Sequence, residues 1–113
     1  MNQYENEKSS SVVEKIKIKK QPMWNVIFHN DNYTPMDFVI QILQILFKKD
    51  EQQAYEITMK VHVEGKAIVA QYNKEIADTK RYEVMQLATR YEHPLRCTIE
   101  QAPEVTPRSS MKP

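Results

Sequence analysis

The chain changes character abruptly over residues 28–36, which read Phe-His-Asn-Asp-Asn-Tyr-Thr-Pro-Met. An apolar run ends there and a helix is about to begin. Thr34 and Pro35 predict an N-cap followed by the first helical position, because the Thr hydroxyl can accept a hydrogen bond from the first turn and Pro has no N–H to leave unpaired. Helix capping does not require the preceding residues 30–32. Their side chains form either an Asx turn that bonds its own backbone or a group of acceptors that a ligand could use.

The patterns on either side of this stretch predict a strand followed by two helices. Residues 23–28 are aromatic and β-branched, which is typical of a strand, and residues 35–48 carry a wide apolar stripe at helical spacing. Asp50 and Gln53 have the spacing of a capping box at the start of a second helix. That helix should run to about residue 64, because Gly65, the only glycine in the chain, is placed for a left-handed C-terminal cap.

A second strand and a third helix follow. Residues 67–72 predict a strand that is buried along most of its length. Asp78 is the expected N-cap of the third helix, and Asn73 is an alternative cap that would start it one turn earlier. The helix should end near Glu92, since the residue before Pro94 is disfavoured in helical conformation. Four of its residues lie at core spacing: Tyr82, Met85, Ala88 and Tyr91.

Residues 95–100 predict a third strand, because apolar and polar side chains alternate. Cys97, the only cysteine, would then face the core, where a thiol behaves as a small hydrophobic group. Three histidines are too scattered along the chain for a metal site, and one glycine is too few for a Gly-rich phosphate loop. We therefore expect neither an enzyme nor a bound metal or cofactor.

The order strand, helix, helix, strand, helix, strand predicts an α+β fold. The economical arrangement is a two-layer sandwich of three helices packed on a small, mainly antiparallel three-stranded sheet. Residues 22–102 would form this single domain. Residues 1–21 and 103–113 have too few large apolar groups to fold on their own, and we expect a disordered N-terminal arm and a disordered C-terminal tail.

The charge balance narrows the class of partner. Sixteen basic and fifteen acidic residues nearly cancel, so the overall charge does not favour nucleic acid as the main partner. No apolar run is long enough to span a membrane, and the N-terminus lacks a secretory signal. A single cysteine is compatible with a reducing compartment. These features predict a cytoplasmic protein, which we expect to be a monomer.

His62 lies at the margin of the apolar stripe of the second helix. Ala54, Ile57 and Val61 share one face of that helix, and either Thr58 or His62 completes the stripe. A histidine at this position is either a partly buried core residue bonded to a nearby backbone group or a residue that binds a ligand. The spacing alone leaves both interpretations open.

Four separated motifs resemble the bacterial ClpS family, in the same order. They are residues 30–36 (Asn-Asp-Asn-Tyr-Thr-Pro-Met), residues 61–68 (Val-His, then Glu-Gly-Lys-Ala-Ile after one intervening residue), residues 75–80 (Glu-Ile-Ala-Asp-Thr-Lys) and residues 92–100 (Glu-His-Pro-Leu-Arg-Cys-Thr-Ile-Glu). The resemblance implies an adaptor that recognises destabilising N-terminal residues of substrate proteins, namely Leu, Phe, Tyr or Trp. Such an adaptor delivers these N-end-rule substrates to the AAA+ unfoldase ClpA of the Clp protease.

The resemblance also implies roles for individual residues. Four would surround the α-amino group of the substrate: Asn30, Asp31, Asn32 and His62. Six would line a hydrophobic pocket for its side chain: Thr34, Met36, Val39, Thr58, Val61 and Leu95. Glu75 and Lys80 would contact the N-terminal domain of ClpA. The chemistry agrees, because an ammonium donates three hydrogen bonds, and amide oxygens, a carboxylate and an unprotonated imidazole nitrogen can accept them.

Two residues depart from the pattern of the family, and two other functions compete with this hypothesis. Relatives usually have an acid in place of Asn32 and often a methionine in place of Thr58. The first competing function is a protein-binding domain similar to the C-terminal part of ribosomal stalk proteins, which recruits translation factors and does not need Asn30, Asn32 or His62. The second is a nucleic-acid binder with a basic arm, which would bind with a steep salt dependence.

Overall fold

The computed structural model describes residues 21–104, which contain three helices and three strands. They follow in chain order as β1 (Trp24–His29), α1 (Met36–Phe47), α2 (Glu51–Glu64), β2 (Lys66–Tyr72), α3 (Lys74–Arg90) and β3 (Arg96–Gln101). The expected element order and the α+β class are confirmed. The expected arm (1–21) and tail (103–113) lie outside the described residues, apart from residues 21, 103 and 104.

The sheet has the strand order β2-β1-β3, and both pairings are antiparallel. The first strand is therefore the central one. Its last residue, His29, still pairs with Lys66 of β2 and with Arg96 of β3. The chain leaves the sheet at Asn30, whose N–H donates to the carbonyl of Gly65 over 2.8 Å. That bond holds the loop after β1 against the end of α2.

The helices cover one face of the sheet, and the core lies between the two layers. The apolar stripe of α1 contributes four buried residues: Val39, Ile42, Leu43 and Phe47. The rings of Phe28 in β1 and Phe47 in α1 pack edge to face, with centroids 5.8 Å apart. Because full burial of a side chain of this size contributes about 1.5–3 kcal/mol, the stripe anchors the helical layer on the central strand.

The two ends of α2 form as the sequence predicts. The carboxylate of Asp50 accepts from the N–H of Gln53 over 2.7 Å, and the Gln53 side chain accepts from the N–H of Asp50 over 3.1 Å. At the other end Gly65 adopts φ 91° and donates its N–H to the carbonyl of Val61. Only glycine adopts such a conformation without a steric cost, so α2 has one well-defined length.

The expected N-cap of the third helix is wrong. α3 begins at Lys74, and its N-cap is Asn73, the alternative, whose side chain accepts from the N–H of Ile76 over 3.0 Å. Asp78 lies inside the helix and forms an ion pair with Arg81 at 2.9 Å. The carboxamide of Asn73 satisfies an N–H of the first turn, which gives the earlier start its cap.

Two expected core positions of α3 are also wrong. Tyr82 and Tyr91 are 57% and 58% exposed, whereas the buried residues are Ala77, Val84 and Ala88. Tyr82 lies on the opposite side of the helix from Ala77. Tyr91 is the C-cap, where the helical spacing no longer applies. The small side chains of the two alanines allow the helix to approach the sheet closely.

The second strand is buried on one face only, which contradicts the expectation of burial along most of its length. Ala67 and Val69 are buried, but Ile68 is 53% exposed. β2 is an edge strand of a sheet whose other face carries no helical layer in residues 21–104. Successive side chains of a strand point to opposite faces, so only alternate residues of β2 reach the core.

Cys97 is buried in the core, as the alternation of β3 predicts. Burial raises the pKa of its thiol to about 12, although the charge of Arg81 opposes this shift. The thiol is therefore protonated at neutral pH and a poor nucleophile. None of the helices in residues 21–104 combines the length and the apolar character that a membrane crossing requires.

Candidate functional site

One cavity of about 230 Å³ lies between the loop after β1, the start of α1, the second half of α2 and the residue before β3. It brings together all ten residues to which the resemblance assigns a role in binding, and His29 in addition. We call four of them the mouth: Asn30, Asp31, Asn32 and His62. The other six are the interior: Thr34, Met36, Val39, Thr58, Val61 and Leu95.

Asp31 organises the loop at the mouth. Its carboxylate accepts three hydrogen bonds, from the N–H of Tyr33 (2.8 Å), the N–H of Thr34 (2.7 Å) and the hydroxyl of Thr34 (2.8 Å). Partial burial by itself would raise the pKa of Asp31, but these bonds and the charge of His93 lower the pKa below its ordinary value. Asp31 is therefore an Asx-turn residue, and it is ionised at neutral pH.

The expected N-cap of the first helix is wrong by one residue. Pro35, with φ −66° and ψ 143°, is the N-cap, no side chain caps the helix, and α1 begins at Met36. The hydroxyl of Thr34 accepts no N–H of the first turn and instead donates to Asp31 over 2.8 Å. An ionised carboxylate is a stronger acceptor than a hydroxyl, so it captures both the N–H and the hydroxyl of Thr34. The loop thus holds its own shape.

The remaining polar groups of the mouth have no partner within the described range 21–104. The side chains of Asn30 and Asn32 and the ring of His62 are exposed and make no hydrogen bond to the protein there. His62 stands on the last turn of α2 beside Gly65, which receives the backbone bond from Asn30. That bond keeps the acceptors of the loop and of α2 at the same end of the cavity.

The interior is mainly apolar, and four of its six residues are buried. Val39 of α1, Val61 of α2 and Leu95 before β3 are buried, and Met36 is half-exposed at the rim. Of the two residues that could complete the apolar stripe of α2, Thr58 is the buried one, at 3% exposure, and His62 is exposed. The core interpretation of His62 is therefore wrong, because the helix turns it beyond the edge of the layer.

His29 lines the cavity, although the sequence analysis assigned it no role there. Its Nε2 lies 2.8 Å from the hydroxyl of Thr98. Burial is the main cause that lowers the pKa of His29, and the charges of Arg96 and Lys66 lower it further. The ring is thus mostly neutral at neutral pH. The one signal in the sequence for a place at the cavity is that His29 directly precedes Asn30.

Glu75 and Lys80, the expected contacts of the unfoldase, lie on α3 away from the cavity. Glu75 is exposed in the first turn. Lys80 is half-buried, and its Nζ donates to the carbonyl of Leu46 over 2.8 Å, at the C-terminal end of α1, and lies above the ring of Phe47. Lys80 therefore satisfies a helix-end carbonyl and joins α3 to α1, whatever else it contacts.

This arrangement suits a ligand that is cationic at one end and apolar at the other. Within residues 21–104 the mouth offers acceptors without a partner and one carboxylate, and the interior offers a mainly apolar surface. Within the described part of the chain, no three His, Cys, Asp or Glu side chains cluster closely enough to hold a metal ion. The lining residues can offer hydrogen-bond acceptors and apolar contacts to such a ligand.

Comparisons with known proteins agree on one family. The family model described as "ATP-dependent Clp protease adaptor protein ClpS" matches residues 19–98. A relative of that name from Vibrio atlanticus is 52% identical over 88 residues, which cover 78% of this chain and 83% of the relative. The namesake from Shewanella pealeana is 53% identical over 85 residues, which cover 75% and 83% of the two chains.

A solved structure agrees with the sequence relatives. Agrobacterium tumefaciens ClpS2, bound to L-phenylalaninamide, superposes with a TM-score of 0.72 and 31% identity, covering 74% of this chain and all of that one. The family model and the Vibrio and Shewanella relatives are named as adaptors, and none of these matches supports the competing ribosomal-stalk hypothesis. The chain therefore belongs to the ClpS family, the adaptor proteins of the ATP-dependent Clp protease.

Proposed function

We propose that this adaptor recognises proteins by a free N-terminal Leu, Phe, Tyr or Trp and delivers them to the unfoldase ClpA of the Clp protease. The observation that carries the proposal is one cavity whose mouth has acceptors without a partner in residues 21–104 and whose interior is mainly apolar. An N-terminal hydrophobic residue has the matching chemistry, an ammonium next to a large apolar side chain. L-phenylalaninamide, the ligand of the Agrobacterium relative, has the same two parts.

The mouth would bind the α-amino group. An ammonium has three hydrogens to donate, and Asn30, Asn32 and His62 have acceptors that are unused in residues 21–104. Asp31 contributes mainly through its charge. A carboxylate has about four acceptor positions, and three of those on Asp31 already receive bonds from the loop. An acetylated N-terminus loses both the charge and the donors that the mouth requires.

The interior would hold the side chain of the first residue. Val39, Val61 and Leu95 form a buried apolar wall, so a leucine or an aromatic ring gains free energy as its surface leaves water. Met36 is half-exposed at the entrance, and its unbranched thioether adapts to ligands of different shape. Branching next to the backbone of the ligand would collide with this rim, which disfavours Ile and Val.

Delivery would use the surface around the start of α3. Glu75 is exposed and has no ion-pair partner within the described residues, so its carboxylate is available to a partner protein. Lys80 would present only part of its side chain, because its ammonium bonds the carbonyl of Leu46. We assign this surface to the N-terminal domain of ClpA. We propose that the protein acts as a monomer in the cytoplasm.

The test is titration of the full-length protein with a fluorescent peptide that begins with Phe and with its N-acetylated twin. Fluorescence anisotropy should report tight binding of the free peptide and little or no binding of the acetylated one. A peptide with an N-terminal Ser is the control for general peptide affinity. Equal affinity for the free and the acetylated peptide would overturn the proposed recognition of the α-amino group.

A further inference from the structure

The hydroxyl of Thr58 is a buried polar group without a partner. Thr58 lies in the middle of α2, is 3% exposed and lines the cavity. Its Oγ1 makes no hydrogen bond to any residue in the range 21–104. The other such buried atom, Oε1 of Glu83, lies 3.8 Å from the ammonium of Lys80 and so has a charge partner. Among residues 21–104, Oγ1 of Thr58 is therefore the one buried side-chain polar atom that has neither a hydrogen-bond partner nor a charge partner.

An unpaired hydroxyl inside an apolar wall lowers the stability of the fold. A threonine in a helix commonly avoids this cost by bonding a carbonyl one turn earlier, but Thr58 makes no such bond to the turn that contains Ala54. A valine would give nearly the same volume without a polar atom to satisfy. The hydroxyl therefore has no hydrogen-bonding role within residues 21–104, and a polar group of a ligand that reaches it would satisfy it.

The position of Thr58 along α2 indicates which part of the ligand it meets. His62 is exposed at the mouth, and Thr58 lies four residues earlier on the same side of the helix, buried below it. Four residues of an α-helix span about 6 Å, which is comparable with the length of an aromatic side chain from its Cα to its far end. A ligand whose amino group lies at His62 therefore brings the tip of its ring close to Thr58.

We propose that the Thr58 hydroxyl hydrogen-bonds the phenolic hydroxyl of an N-terminal tyrosine, and so favours tyrosine over phenylalanine. This inference rests on the proposed function, because it needs the amino group at the mouth and the ring in the interior. A phenol both donates and accepts, as does a threonine hydroxyl, so the pair satisfies both groups. Phenylalanine leaves the Thr58 hydroxyl unpaired and gains no such bond.

The experiment compares Thr58→Val with the wild-type full-length protein, using peptides that differ only in a first residue of Tyr or Phe. Anisotropy titration should give an affinity for the Tyr peptide that is about three- to tenfold weaker in the variant, as expected for one hydrogen bond. Affinity for the Phe peptide should change less than about twofold by the same conversion. Thr58→Ser, which keeps the hydroxyl, should retain most of the preference for Tyr.

Two controls keep the inference open to refutation. Thr79→Val, an exposed substitution on α3 away from the cavity, should leave both affinities unchanged. Thr58→Val should be at least as stable as the wild type in urea, because it removes an unpaired buried hydroxyl; a clear loss of stability would mean that the hydroxyl is bonded within the protein and would overturn the inference.

The outcomes also separate this inference from the proposed function. If the Tyr and Phe peptides bind but Thr58→Val leaves the ratio of their affinities unchanged, the role of Thr58 is wrong and the recognition of N-terminal residues stands. An ordered water that serves as the partner of Thr58 would give that result. If neither peptide binds the wild type, or if the acetylated twins bind equally well, the proposed function and the inference both fail.

Discussion

The mouth loop and the interior of the cavity are built in different ways. The loop owes its shape to bonds within four consecutive residues, since Asp31 bonds only Tyr33 and Thr34. The interior depends instead on residues from separate parts of the chain, although Thr34 also takes part in the bonds of the loop. It exists because α1, α2 and the residue before β3 pack against the same end of the central strand.

This difference separates binding from stability. The side chains of Asn30, Asn32 and His62 are exposed and make no contact that the fold requires within residues 21–104. Three residues of the interior, Val39, Val61 and Leu95, belong to the hydrophobic core, so they serve the fold and also line the cavity. Substitutions in the mouth should therefore change affinity with little effect on stability, whereas truncation of Val39, Val61 or Leu95 should change both. Asp31 is the exception, because it is a mouth residue that also holds the loop.

The largest effect is expected from Leu95→Ala. Leu95 is buried in the core cluster and also lines the cavity. Removal of a buried leucine side chain costs about 2–5 kcal/mol of unfolding free energy, and the wider cavity should also bind a Phe peptide more weakly. Urea denaturation measures the first effect and anisotropy the second.

Ile45→Ala is the matched control for that variant, because it removes a similar apolar group from α1 at a position that is 67% exposed. Its effect should be below about 0.5 kcal/mol, as is usual for surface substitutions. If Leu95→Ala were no more destabilising than Ile45→Ala, the interior would not be part of the core.

An intermediate effect is expected from Asp31→Asn, which removes the charge but keeps an acceptor oxygen. The bonds to Tyr33 and Thr34 lose the strength that the charge gives them, which should cost about 1 kcal/mol of stability. Loss of the negative charge should weaken binding of a Phe peptide about three- to tenfold, as expected for a partly exposed charge next to an ammonium. Asp37→Asn, on the exposed first turn of α1, makes the same charge change outside the cavity and should leave binding unchanged.

The same variant makes a prediction about acid stability. The pKa of Asp31 is lower in the folded protein than in the unfolded chain. Ionised Asp31 therefore stabilises the fold above about pH 4, the ordinary range of an aspartate, and this contribution is lost as the pH falls through the folded-state pKa. Urea denaturation from pH 7 to pH 3 should show a smaller acid loss of stability in Asp31→Asn than in the wild type. Identical pH profiles would remove the role of Asp31 in holding the loop.

The smallest effect is expected from Asn32→Asp. Asn32 is exposed at the mouth, so an added carboxylate should attract the ammonium without disturbing the fold. Affinity for a Phe peptide should be preserved or should increase by up to about fivefold, the limit for an exposed ion pair. The gain should shrink as salt is added, because exposed charges are screened.

Gln86→Glu makes the same charge change on the exposed side of α3 and should not alter affinity. A marked loss of affinity in Asn32→Asp, with Gln86→Glu unchanged, would contradict the position of Asn32 beside the amino group. Unchanged stability in both variants would sharpen the contrast between the mouth and the interior.

Prediction from the sequence succeeded where a signal and its structural effect lie within one turn. Asp50 and Gln53 form the expected capping box, and Gly65 ends α2 as expected. It failed where two local signals compete. Thr34 had the features of an N-cap, but its hydroxyl donates to the nearby carboxylate of Asp31 and accepts no N–H of the first turn, and the position of Asp31 relative to Thr34 depends on distances that the sequence does not contain.

Amphipathic spacing was a weaker guide to the helices than capping. In α3 the spacing of large side chains suggested Tyr82 as a core residue, but the helix packs through Ala77 and Ala88 instead. In α2 the spacing could not decide between Thr58 and His62. The roles of the ten cavity residues came from the family resemblance and not from spacing, because no local pattern relates Leu95 to Met36 or to Val61.

The sequence by itself determined the order of the elements, the ends of α2 and the burial of Cys97, because hydrogen bonds within a turn and alternation along a strand depend only on neighbouring residues. The tertiary structure alone decided that β1 is the central strand, that Thr58 is buried while His62 is exposed, and that the mouth and the interior share one cavity. These properties depend on which face of each element is covered by another element, and that is decided by contacts between distant parts of the chain. The hydrogen bond from the N–H of Asn30 to the carbonyl of Gly65 is one such contact.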